Sequence, residues 1–139
     1  MEGFMAERRW TFRDAFAEFG AKATNPRQTW SARNDAGKIV VITLWDDSFD
    51  PAPGSTCSTF NDPGLPRWQN SRGNRDRLKN LKFSKEHCGG LFRVVVVTPK
   101  DRDAIPRAAL KLWPHPTKVM RLTKLDEHTG EFSAVSVES

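Results

Sequence analysis

The chain has 139 residues, 22 Lys and Arg against 17 Asp and Glu, a net charge of +5 and a pI of about 9.6. That length suits one domain, the 37% apolar fraction predicts a modest core, and two cysteines are too few for a disulfide scaffold. No apolar run approaches the roughly 20 residues of a membrane helix, and the N-terminus MEGFMAERRW lacks an apolar signal region, so a cytoplasmic protein with free thiols and no membrane partner is expected.

Residues 11–22 read as the first helix, with Thr11 as its cap and Asp14 three residues on. Phe12, Phe16 and Phe19 recur at helical spacing beside Ala15, a core stripe rather than a cofactor site, and Trp10 is placed to pack across the cap. Asn25-Pro26 ends the element. Residues 29–34 and 38–46 form a predicted hairpin around Asn34-Asp35-Ala36-Gly37, a type I turn closed by a left-handed glycine. The run IVVITLW is β-branched and almost wholly apolar, so it belongs in mid-sheet with both faces covered.

Residues 47–70 show no periodicity, and Pro51, Pro53, Pro63, Pro66, Gly54 and Gly64 exclude a helix or a central strand. Phe49, Phe60, Leu65 and Trp68 are apolar anchors, which predicts an ordered excursion folded over the sheet. A helix follows over SRGNRDRLKNLKFSKEHCGG. Leu78, Leu81 and Cys88 share one side, while Arg72, Arg75, Lys79 and Lys82 fall within a quarter-turn of one another on a different side. Gly89-Gly90 supplies its stop, and LFRVVVVT is the most strand-like run in the chain.

Pro99 ends that strand, and Asp101 or Asp103 caps a predicted helix over residues 104–112, with Pro106 in its first turn and Ile105, Ala109 and Leu112 inward. Trp113-Pro114-His115-Pro116 breaks the chain, and a last hairpin joins residues 118–126 to 131–138. The order is α-β-β-loop-α-β-α-β-β: one α+β domain of about five mostly antiparallel strands, in a curled or barrel-like sheet, with about three helices. Small barrels of the PUA-like sort, which read RNA or modified bases, have comparable content, an analogy of fold with no signature residue matched.

Phosphates call for long cations repeated along one face, and Arg72, Arg75, Lys79 and Lys82 supply them over about 15 Å of helix, flanked by Arg67 and Arg77. The plainer role is a solvated face, partly neutralised by Asp76 and Glu86. Five tryptophans and no tyrosine are the second signal, because an indole stacked on an unpaired base contributes ~1–3 kcal/mol. Trp68, between Arg67 and the basic helix, is the first candidate, and Trp30, near Arg33, the second; Trp10, Trp45 and Trp113 read as packing residues. The expectation is a module that binds DNA or RNA with unpaired, flipped or modified bases. An acidic protein is the alternative partner for the same face.

Asp46, Asp47 and Asp50 cluster past a strand end, where nucleases place metal-binding carboxylates, so a metal-dependent nuclease is a third reading. Acids that cap turns are the commoner case, and no Glu-x-Lys partner follows. His87-Cys88, Cys57 and His115 lack the paired spacing of zinc sites, and Gly73 and Gly89-Gly90 match no phosphate loop. No metal or cofactor is expected.

Overall fold

Along Ile39–Trp45 (strand β2), Val40, Ile42 and Leu44 point into one apolar cluster and Val41 into another, so both faces are buried as the run IVVITLW predicts. The computed structural model describes residues 9–23, 29–48, 50, 52–60, 62–104 and 107–137. The expectations resting on Asn25-Pro26, Phe49, Pro51, Ile105, Pro106 and the first eight residues fall outside them.

The remaining elements are α1 (Phe12–Glu18), β1 (Ser31–Asn34), β3 (Thr56–Ser58), α2 (Leu65–Trp68), α3 (Arg72–His87), β4 (Leu91–Pro99), β5 (Ala109–Leu125) and β6 (Phe132–Val137). The strands make one six-stranded sheet in the order β1-β2-β4-β5-β6-β3, with only β2–β4 parallel. The sheet is open, with β1 and β3 at its edges, and is not closed into a barrel. The fold is a single α+β domain. Helix α1 covers one face through Phe16 and Ala15 with Trp10 in the same cluster, and α3 covers the other through Leu81. Among the described residues no helix is long and apolar enough to cross a membrane.

Local signals act where they were placed. The Thr11 hydroxyl accepts from Asp14 N at 3.1 Å, and the Ser71 hydroxyl accepts from Asn74 N at 3.1 Å to start α3. Gly89 and Gly90 both take positive φ, and Gly90 N closes the helix on Ser84 O at 2.9 Å. In the first hairpin the left-handed residue is Lys38, at φ 53°, rather than Gly37, while Asn34 Oδ1 accepts from Gly37 N at 2.9 Å.

Among the described residues of the expected helix over 104–112 none is helical. Leu112, Lys111 and Ala109 instead pair with Val97, Thr98 and Pro99, so β4 recruits this segment into a ladder and overrides its helical spacing. The expected break at Trp113–Pro116 is a bulge within one long strand. Between the pairs Val95–Pro114 and Arg93–Val119 the register shifts, and Pro116 falls in the stretch that has no register partner. Arg93 fills the bulge, its Nε donating to Lys118 O at 3.2 Å and its Nη2 to Pro116 O at 2.9 Å. Within residues 47–70 the chain forms β3, which pairs with β6, and the short α2, neither foreseen from proline and glycine content.

The largest departure concerns α3. Its buried residues are Gly73, Asn74, Arg77, Asn80, Leu81 and Ser84, and Leu78 is only half-buried. The docking face is therefore polar and held by hydrogen bonds. Asn74 Nδ2 donates to Gln69 O and to Thr129 O, each at 2.8 Å; Asn80 Nδ2 donates to Ser31 Oγ at 2.7 Å; Ser84 Oγ donates to Leu91 O at 2.6 Å.

Candidate functional site

Two parallel strands joined by a crossover leave a crevice beyond their carboxyl ends. Here β2 and β4 are that pair, and a cleft of about 990 Å³ reaches from the end of β2 to the N-terminal half of α3. Its walls bring together residues far apart in the chain: Trp30 ahead of β1, Trp45 at the end of β2, Trp68 at the end of α2, Arg77 from α3, Phe132 from β6 and Arg107 from the β4–β5 connection.

Gly73 is the reason Trp30 can lie on α3. A Cβ built at Gly73 would stand 2.6 Å from the indole, so only glycine lets the ring seat on the helix backbone. Trp68 meets Trp30 edge-on, with ring centres 6.2 Å apart and planes at 61°. The Trp68 indole N–H donates to Asp62 Oδ2 at 2.8 Å, and the other oxygen of Asp62 accepts from Gly64 N at 2.8 Å, which orients the ring.

Arg77 lies at the floor of this aromatic corner, with 8% of its surface exposed. Its guanidinium carbon is 4.7 Å from the centre of Trp30, 5.4 Å from Trp68 and 5.0 Å from Phe132. Such contacts return on the order of 2 kcal/mol when desolvated, against several kcal/mol for taking the charge out of water. Its Nη2 donates to Asn74 Oδ1 at 3.3 Å, and Nε has no hydrogen-bond partner. No carboxylate forms an ion pair with it among the described residues. Burial pushes its pKa down to about 10, with the nearby Cys57 and Asp62 acting the other way, so the side chain stays charged at neutral pH. Burial also pushes the Cys57 thiol up to about 11, leaving it protonated beside the guanidinium.

No family model, curated protein or solved structure matches this chain.

Of the residues singled out in the sequence, Arg67, Trp68 and Trp30 line the cleft. Arg72, Arg75, Lys79 and Lys82 are exposed on α3. Lys82 Nζ lies 3.3 Å from Glu127 Oε1, whereas Arg72, Arg75 and Lys79 form no ion pair among the described residues. At 3.6 residues per turn these four cations are about half a turn from Arg77, so they face away from the cleft floor. Arg33 is not in the cleft lining: its Nε donates to Asp35 Oδ1 at 3.0 Å and its guanidinium lies 4.6 Å from the Phe83 ring centre.

Asp46 and Asp47 each hold an arginine in a two-pronged pair, Asp46 with Arg102 at 2.6 and 3.0 Å and Asp47 with Arg107 at 2.8 Å for both bonds. Hydrogen bonds from Arg102 and Arg107, first among the causes, hold these carboxyls below their usual range. Asp50 Oδ1 caps Ala52 N at 2.9 Å. The three carboxylates are thus engaged in fastening loops. Among the described residues no group of three His, Cys, Asp or Glu side chains is arranged to hold a metal ion.

By spacing alone Arg77 is a flank of the basic cations and Trp45 a packing residue. A signal for Arg77 is present: Gly73, Asn74, Arg77, Asn80, Leu81 and Ser84 follow one face of a helix, and a glycine within its first turn marks a close approach. For Trp45 and Arg107, whose guanidinium lies 5.5 Å from the Trp45 ring centre, no local pattern exists.

Proposed function

We propose that the chain is a nucleic-acid-binding module that grips phosphates with the exposed cations of α3 and takes an unpaired, flipped or modified base against Trp30 and Trp68. The observation that carries this reading is the Trp30–Trp68 pair, two half-buried indoles on the wall of a cleft that opens beside a helix with three cations that form no ion pair among the described residues. Base–aromatic stacking contributes ~1–3 kcal/mol per base and tolerates any sequence. The half-turn between the outer cations and the cleft favours a flexible strand or an extruded nucleotide over a flat duplex face. A strand can round the N-terminal end of a helix about 10–12 Å across, with Arg72 and Arg67 on the way.

Titration of tryptophan fluorescence with single-stranded and duplex oligonucleotides at low salt tests the reading. Binding to the single strand, lost in the double variant Arg75→Glu/Lys79→Glu with an unchanged melting temperature, is the expected result. No binding at low salt, or binding indifferent to both charge reversals, overturns it.

An acidic protein on the outer face of α3 is the second reading, favoured by the same half-turn that directs those cations away from the cleft. Polyglutamate bound as tightly as an oligonucleotide of equal charge, with no change in Trp30 or Trp68 fluorescence, selects it.

A further inference from the structure

Tryptophan faces suffice to hold a neutral base; a buried guanidinium does something they do not. Arg77 is 8% exposed, lines the cleft, has an Nε without a partner, and forms no ion pair among the described residues. The groups around it do not neutralise it. Cys57 is held as the thiol, and Asp62, whose oxygens accept from Trp68 and Gly64, favours the guanidinium charge only from beyond ion-pair distance. Of the other charges on the cleft wall, Asp47 is matched by Arg107, Arg102 pairs with Asp46 and Asp47, and Arg67 and Asp103, which form no ion pair among the described residues, offset each other. A planar guanidinium presents a fork of N–H donors that fits an oxyanion.

We infer that the floor of the cleft at Arg77 is a subsite for a phosphate-type oxyanion on the ligand. This rests on the proposed function only in so far as the phosphate belongs to a strand; a free nucleotide offers the same group. Trp30 and Trp68 then hold the base, and Arg77, with Arg67 nearer the rim, holds the negative charge attached to it. The alternative for Arg77 is a purely structural role, a cation buried to fill an aromatic corner.

The experiment compares four probes on the intact chain by tryptophan fluorescence and by the rise in melting temperature that ligand linkage produces: thymidine, thymidine 5′-monophosphate, inorganic phosphate and an oligothymidine. The monophosphate is expected to bind at least tenfold tighter than the nucleoside, and inorganic phosphate to compete with it. Arg77→Gln is expected to reduce the monophosphate to the affinity of thymidine while its unliganded melting temperature stays level or rises, because an unmatched buried charge has been removed. Equal affinity for nucleoside and monophosphate in the wild-type chain overturns the subsite, and this comparison stands even if Arg77→Gln fails to fold. A folded Arg77→Gln chain that keeps the preference for phosphate overturns it too. Oligothymidine binding that depends on Arg75 and Lys79 but shows no phosphate preference in the cleft sinks the subsite alone. Monophosphate and phosphate binding without oligothymidine binding sinks the strand reading and keeps the subsite, with a free nucleotide as its ligand.

Discussion

The guanidinium carbon of Arg77 lies 4.7 Å from the centre of the Trp30 ring, and that same ring rests on the bare backbone of Gly73, one helical turn earlier. One face of α3 therefore both seats the indole and charges the space beside it. The exposed cations on the opposite side are a separate feature of the same helix.

Gly73→Ala tests this seating. Alanine gains about 0.8–1.0 kcal/mol over glycine in a helix interior, and less at Gly73, the second residue of α3. Its Cβ, however, would meet the Trp30 ring at 2.6 Å, and overpacking of that kind typically costs about 1–3 kcal/mol. The clash wins: the variant is expected to melt lower, with a shifted tryptophan emission. A higher melting temperature with unchanged emission would show that Trp30 is not held against the helix.

The outer cations should not be equivalent. Lys82 is already paired with Glu127, and Lys79 is not paired among the described residues. Charge reversal at Lys79 is expected to weaken oligonucleotide binding and to lower the slope of log K against log salt by about 0.9, the value for one phosphate contact. Reversal at Lys82 should change both less, since an exposed pair contributes only about 0–1 kcal/mol and leaves little free charge to lose. Measurement of the salt slope for both variants decides it; equal losses would remove the distinction.

Asn74→Ala addresses the polar docking of α3. The side chain donates to two carbonyls, Gln69 O and Thr129 O, and its oxygen accepts from Arg77. Each group left without a partner costs about 1–3 kcal/mol, so destabilisation of at least 2 kcal/mol is expected in urea unfolding. A loss below about 0.5 kcal/mol, the usual range for a surface site, would mean that water replaces these bonds freely.

The clasp at the cleft rim should open in acid. Hydrogen bonds from Arg102 and Arg107 hold Asp46 and Asp47 below their ordinary value of 3.8. A carboxyl whose folded pKa is depressed contributes stability that is fully present above the unfolded value and lost as pH falls through the folded one. The clasp is therefore constant across neutral pH and weakens only below about pH 4. Arg107 lies over Trp45, so that ring reports the opening, and Arg107→Ala should abolish the acid-induced change in its fluorescence. A transition near pH 6 would assign the change to a different group.

Much of the fold follows from neighbours in the chain. Thr11 and Ser71 cap their helices, Gly89-Gly90 stop α3, and the two β-branched runs become β2 and β4, because each signal acts within a few residues of itself. The basic character of the outer face of α3 was legible in the same way, from spacing alone. Where pairing with a distant strand competed with local preference, the distant strand won: residues 109–112 read as helix but complete the ladder with β4, and Thr56–Ser58 becomes an edge strand only because β6 is there to receive it.

The cleft lay beyond any local reading. Trp30, Trp68, Arg77 and Phe132 are separated by up to about a hundred residues and meet only through the packing of α3 on the sheet. Sequence alone determined that α3 would be basic and amphipathic; the tertiary structure decided which face was buried. It placed a charged residue rather than a leucine at the centre of that face. The physical reason is that burial depends on what the partner surface offers. Here the partners are indole and phenyl rings with backbone carbonyls, which accept a guanidinium, amides and a hydroxyl as readily as an apolar stripe.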